Sequence, residues 1–193
     1  MTRSIVVSSV LMFALAACQA PSDAAAPADG GGEPAAAALA PGDTLTAEGI
    51  GPLRVGVYAA SVWGGPRTPA SVEATCEVVE FANGPPGVKA MVNSGMVAQV
   101  ILEAPSAAKT DRGFGPGDDG AAVKAAYGAS AIVAPAMSAP PPAEDITVWT
   151  DGEVNDGFRN DLALRGLRYS IGADGKVLRV RAGGPAIQLE NCG

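Results

Sequence analysis

Few side chains in this sequence are suited to making or breaking bonds at neutral pH. There is no histidine. The commonest metal ligand and the usual general base are therefore missing, and no Ser–His or Cys–His pair can be assembled. Cysteines stand at 18, 76 and 192, with no Cys-x-x-Cys spacing, which argues against thiol redox or zinc chemistry. Gly64-Gly65-Pro66 and Gly113-Phe114-Gly115-Pro116-Gly117 are rich in glycine, but no Gly-Lys-Ser/Thr follows to hold a phosphate. Asp151-Gly152-Glu153-Val154-Asn155-Asp156-Gly157 echoes a calcium loop. Its glycine comes one place late, and Leu162 stands where a bidentate Glu is needed, so it reads as a turn-rich loop. The other carboxylates lie mostly in loops, and two of them meeting in a cleft stays open as an acidic pair. The sequence assigns no catalytic residue, no metal and no cofactor.

Recognition is better supported than catalysis. Asp174-Gly175 is a strong two-residue turn signal. Pairing outward from it sets Ala173 against Lys176, Ser170 against Arg179 and Arg168 against Arg181. One face of this hairpin then carries Arg168, Ser170, Arg179 and Arg181; the other carries Tyr169, Ile171, Leu178 and Val180. Like charges directly opposite each other are unfavourable in a hairpin. The cationic stripe is therefore either a docking surface for an acidic partner or a solvated face neutralised by Glu190. In Ile146-Thr147-Val148-Trp149, alternation sends Trp149 to the face opposite Ile146 and Val148. An exposed tryptophan there would be an interface anchor; the alternative is that it covers the rim of the core. Arg168, Arg179, Arg181 and Trp149 are the candidate partner-binding residues.

The N-terminus states where the chain goes. Arg3 precedes an apolar run from Ser4 to Leu15, and small residues lead to Cys18, the layout of a cleavable export signal. The run is shorter than the roughly 20 apolar residues a membrane-spanning helix needs. Leu15-Ala16-Ala17-Cys18 resembles the lipobox of bacterial lipoproteins. That resemblance implies cleavage after Ala17 and a palmitate-type lipid on Cys18, leaving residues 1–17 as signal peptide. It implies a protein anchored in membrane lipid, facing the periplasm of a bacterial envelope. Gln19 follows the cysteine in place of Asp, which by the enteric sorting rule leans towards the outer membrane. With Cys18 acylated, Cys76 and Cys192 remain. An even pair in an exported protein reads as a disulfide bond.

Residues 19–44 are Ala, Pro, Gly and Asp-rich and lack aromatics, so Cys18 to residue 44 reads as a lipidated, disordered linker. Its reach as a flexible tether is about 25–30 Å. Residues 45–193 have the size of one ordinary domain. The net charge of −7 argues against nucleic-acid binding.

Within the domain, Thr46-Ala47-Glu48-Gly49 leading to Val57–Gly64 shares a pattern with Thr110-Asp111-Arg112-Gly113 leading to Asp118–Gly128. Each has Thr-x-x-Gly, a short Ala-rich segment, an aromatic and a glycine. This reads as an internal duplication, with halves at 45–109 and 110–193. In the second copy Asp118 or Asp119 caps a helix over Ala121–Tyr127, and Gly128 ends it. The first copy is expected to hold one or two helical turns. Strand-like segments follow each: 76–81, 88–92 and 96–102, then 146–149, 167–171 and 176–181, with 187–190 as a closing strand. The glycine, short helix and three-stranded meander, repeated, resemble the SmpA/OmlA (BamE-like) and β-lactamase-inhibitor-protein-like architecture. Gly175-Lys176-Val177-x-x-Val180-x-Ala182-Gly183 and the final Glu190-Asn191-Cys192 also resemble a family of uncharacterised bacterial lipoproteins. The resemblance implies an α+β fold of two similar halves, each a short helix plus a three-stranded antiparallel meander. It implies a non-catalytic binding or scaffolding role with an envelope protein partner. Inhibition of a periplasmic hydrolase, or cell-wall hydrolysis by an acidic pair, are the alternatives.

Overall fold

The computed structural model describes residues 38–40, 43–68, 76–155 and 157–189. The signal peptide, Cys18, most of the linker, Glu190 and Cys192 lie outside the described residues. Cys76 is disulfide-bonded.

The fold is a large antiparallel sheet. Its strands are β3 (Cys76–Glu80), β4 (Val88–Asn93), β5 (Met96–Glu103), β6 (Ile132–Pro135), β7 (Glu144–Trp149), β8 (Gly166–Ile171) and β9 (Val177–Gly183). Their spatial order is β3-β4-β5-β9-β8-β7-β6. A two-stranded ribbon of β1 (Gly49–Ile50) and β2 (Leu53–Arg54) precedes it. The β4–β5 hairpin turns at Ser94-Gly95, both with positive φ (49° and 81°). That conformation matches the right-handed twist of the strands it joins.

The β8–β9 hairpin reaches the expected register by a different route. Gly172 pairs with Lys176 around a three-residue loop, one residue longer than the Asp174-Gly175 signal implies. Register shifts between Ser170 and Ile171, so that Leu178 is the extra residue on β9. The two offsets cancel: Ser170 still faces Arg179, and Arg168 still faces Arg181. Leu178, expected on the core face, is pushed out by the bulge and is 56% exposed.

On its front face the sheet buries one continuous core. Leu45, Ile50 and Leu53 from the N-terminal segment pack with Val100, Leu102, Ile146, Tyr169 and Val180 from the strands. The single α-helix among the described residues, α1 (Gly120–Tyr127), adds Val123. The side chain of Asp119 accepts a hydrogen bond from the Ala121 amide and so caps α1; Gly128, at φ 54°, ends it.

The α+β expectation of two halves, each with a helix, is overturned. Among the described residues the fold is mostly β, and α1 has no counterpart in the first half. Tyr58–Gly64 forms only a 3₁₀ turn over Ala59–Ser61, with no side-chain cap. Trp63, Gly64 and Gly65 all then take positive φ (44°, 78° and 80°), so an α-helix cannot propagate there and remains below its nucleation cost. Of the closing strand expected over 187–190, Ile187 and Gln188 belong instead to another 3₁₀ turn, Pro185–Gln188, which Leu189 ends. Pro185 supplies no amide hydrogen to a ladder. β6 was absent from the expected strands; its Pro135 is tolerated because β6 lies at the sheet edge.

Candidate binding cleft on the back face

Alternation along the strands places one set of side chains on the back of the sheet. A polar belt crosses it from edge towards edge. Lys89 on β4 lies 3.4 Å from Glu80 on β3 and 3.1 Å from Glu103 on β5. Glu103 also pairs with Arg179 on β9. Further along, the Ser170 hydroxyl donates to Asp145 Oδ1 at 2.8 Å. Arg168 Nη2 reaches Asp145 Oδ2 at 2.6 Å.

Burial tends to raise the Glu103 carboxyl, but the Lys89 hydrogen bond and the charges of Arg179 and Lys89 outweigh it. Its pKa is held below the ordinary 4.5. A carboxyl depressed in the folded state adds stability above its unfolded value and loses it as pH falls through the folded one. Stability is therefore expected to decline as pH drops below 4.5. In thermal melts over a descending pH series, Glu103→Gln should show a flatter decline than the parent; parallel curves would refute the assignment.

The expected cationic stripe is thus taken apart by its own neighbours. Arg168 and Arg181 are 6% and 2% exposed. Arg168 Nη1 donates to the Gln188 carbonyl at 2.8 Å, and Arg181 Nη1 donates to the Leu189 carbonyl at 2.9 Å. Gln99 donates to the Ala186 carbonyl. The segment 185–189 is therefore held across three strands by its backbone carbonyls. Arg179 is tied to Glu103. These arginines do not make an open docking face.

Trp149 is also covered, at 3% exposure, and forms a small second cluster with Leu164 and Ile187. Gly166 is its cross-strand partner. A Cβ there would sit 2.6 Å from the indole Cε3, so the missing side chain lets the ring lie against β8.

Arg168 and Trp149 do meet, in the floor of a cleft of about 250 Å³. β6 and β7 supply Ile132, Ala134, Asp145 and Thr147; the rim carries Met137 and Phe158. Met137 is 77% exposed and Phe158 65%. The loop bearing Phe158 is fixed at its base. The Arg159 amide donates to Gln188 Oε1 at 2.9 Å, and Gln188 Nε2 donates back to the Arg159 carbonyl at 2.7 Å. The Arg159 guanidinium lies 5.7 Å from the Trp149 ring centroid. It pairs with Asp151 at 2.6 Å and Glu153 at 3.3 Å. Those acids of the calcium-like stretch thus hold an arginine, and no group of three or more metal-type side chains occurs among the described residues.

Sequence reasoning missed Asp145, although the alternation that carries Trp149 to the back face carries it too. Met137 and Phe158 lie in Pro- and Gly-rich loops with no periodic signal. A second cleft, of about 450 Å³, is lined by Glu48, Asp111, Arg112 and Tyr127. Arg112 lies 4.5 Å from the centroid of the Tyr127 ring. The Tyr127 hydroxyl is 2.8 Å from that of Tyr169, which donates to Thr110 Oγ1 at 3.2 Å. Burial is the leading cause of a raised Tyr127 phenol pKa.

This fold and cleft define an antiparallel sheet protein with an apolar-rimmed recess on the face away from its main core. No protein-family model matches the chain, and neither a curated protein nor a solved structure matches it significantly.

Proposed function

We propose that this chain is a non-catalytic binding module of the bacterial envelope, held at a membrane by an acylated Cys18, that takes a protein partner into the cleft over Trp149. The observation that carries the binding role is the cleft's division of labour. Its floor polar groups, Arg168 and Asp145, are spent on each other, while its rim holds exposed Met137 and Phe158. Such a site offers shape and apolar surface and leaves no activated group for bond chemistry. The anchor rests on Leu15-Ala16-Ala17-Cys18 and the apolar run before it. With Cys18 acylated, the bridge from Cys76 closes on Cys192.

Growth with an alkyne palmitate analogue tests the anchor. The wild-type protein is expected to take the label and pellet with membranes, and Cys18→Ser to lose both. An unlabelled wild type, or Cys18→Ser that still pellets, would overturn the anchor. Peptide mapping without reductant is expected to return the Cys76 and Cys192 peptides joined.

A second reading, hydrolysis of a cell-wall polymer by an acidic pair, draws on Glu48 and Asp111 lining one cleft with Tyr127. Turnover of purified cell wall that disappears in both Glu48→Gln and Asp111→Asn would establish it.

A further inference from the structure

We infer that the back-face cleft recognises a basic, apolar peptide segment of its partner, with an apolar side chain seated between Met137 and Phe158 and a lysine or arginine beside it meeting the acidic loop. This rests on the binding role proposed above and specifies its ligand.

Two of the large hydrophobics exposed among the described residues line this site: Met137, 77% exposed, and Phe158, 65% exposed. Phe158 and Met137 both line the recess, together with the buried Asp145, Trp149 and Arg168. Exposed apolar side chains lining a small recess suit a single inserted side chain.

Charge decides what must flank that side chain. Among the described residues from Asp151 to Asp161, the acids Asp151, Glu153 and Asp161 stand against Arg159 alone. Arg159 is already engaged by Asp151 and Glu153, and its side chain is 14% exposed. The Glu153 side chain, by contrast, is 70% exposed. The loop that bears Phe158 therefore presents net negative charge to solvent beside the cleft. An acidic peptide and an anionic lipid surface are both repelled there. A segment pairing an apolar anchor with a cation matches both features.

Calorimetry on the full chain carrying Cys18→Ser, which keeps acyl chains out of the titration, tests this. The probes are three short acetylated peptides alternating Leu with Lys, Leu with Glu, and Ser with Lys, together with vesicles of anionic and of zwitterionic lipid. The Leu/Lys peptide is expected to bind about tenfold or more tighter than either relative, and to weaken as salt is raised. Phe158→Ser with Met137→Ser should weaken it by about tenfold or more. Glu153→Lys should shift preference towards the Leu/Glu peptide. All three positions are exposed, and unchanged thermal melts will show that the variants fold. Equal binding of Leu/Lys and Leu/Glu peptides, no binding of either, indifference to the Met137 and Phe158 changes, or uptake by vesicles in place of peptide would each overturn the inference. A lost palmitate label with peptide preference intact would sink the anchor alone; an intact label with no preference would sink this inference alone.

Discussion

Replacing Asp145 with alanine is expected to cost about 3–5 kcal/mol of folding stability, the range for breaking one side of a buried ion pair. Asp145 is 2% exposed and Arg168 6%. Removing the carboxylate leaves the guanidinium under the Gln188 carbonyl with its countercharge gone and little water to replace it. Against the 5–15 kcal/mol typical of a whole domain, that is a large fraction. Arg168→Ala should be comparably severe, because Asp145 would keep only the Ser170 hydroxyl as a hydrogen-bond partner among those described. Replacing both, as Asp145→Leu with Arg168→Met, should recover much of the loss, since a well-packed apolar pair can match a buried ion pair. Urea unfolding of the four proteins measures the coupling directly. A single Asp145→Ala variant within about 1 kcal/mol of the parent would mean that the pair is effectively solvated.

Tyr169→Ala is expected to be of similar severity, about 3–5 kcal/mol, the range for deleting a buried aromatic. Tyr169 is fully buried, at the centre of the front core on β8. Its ring packs at 5.8 Å on Tyr127, and its hydroxyl links Tyr127 to Thr110. Tyr169→Phe separates packing from hydrogen bonding. It keeps the ring but leaves Thr110, itself 1% exposed, without that donor, for an expected loss of about 1–3 kcal/mol. Burial raises the Tyr169 phenol far above its ordinary 10.0. A group raised on folding contributes stability below its unfolded value and loses it as pH rises towards the folded one. The parent protein should therefore weaken above pH 10, and Tyr169→Phe should weaken less steeply there. Urea midpoints at neutral and alkaline pH check both statements. A phenylalanine variant as weak as the alanine variant would show that the hydroxyl network, and not the ring, holds this part of the core.

Much of the local structure was legible. Asp119, the Ala-rich run and Gly128 together mark α1. Alternation marks β3, β4, β5, β7, β8 and β9, and it separates Arg168, Ser170, Arg179 and Arg181 from Tyr169 and Val180. These follow from near-neighbour physics: caps, periodicity and turn residues act within a few positions of each other. The failures also have local causes. Two alanines and a serine between Tyr58 and Val62 looked helical until Trp63, Gly64 and Gly65 turned the chain away. β6 is too short, and too close to Pro135, to show a pattern of its own.

What the tertiary structure alone decided is which of the two sheet faces stays open and where. A strand's periodicity says which side chains travel together, but not what arrives to cover them. Asp145 comes to Arg168 from β7, Glu103 to Arg179 from β5, and the carbonyls of 188 and 189 fold back onto both buried arginines. Asp145 and Glu103 are distant along the chain from their arginines and are brought in by the strand order, whereas the two carbonyls come from the 3₁₀ turn and its cap that follow β9. The same order that closes over the arginines leaves Met137 and Phe158 exposed around Trp149. The sequence alone thus determined which residues share the back face; long-range pairing, which no short window contains, determined that its charges are consumed internally and that its open site is an apolar-rimmed recess.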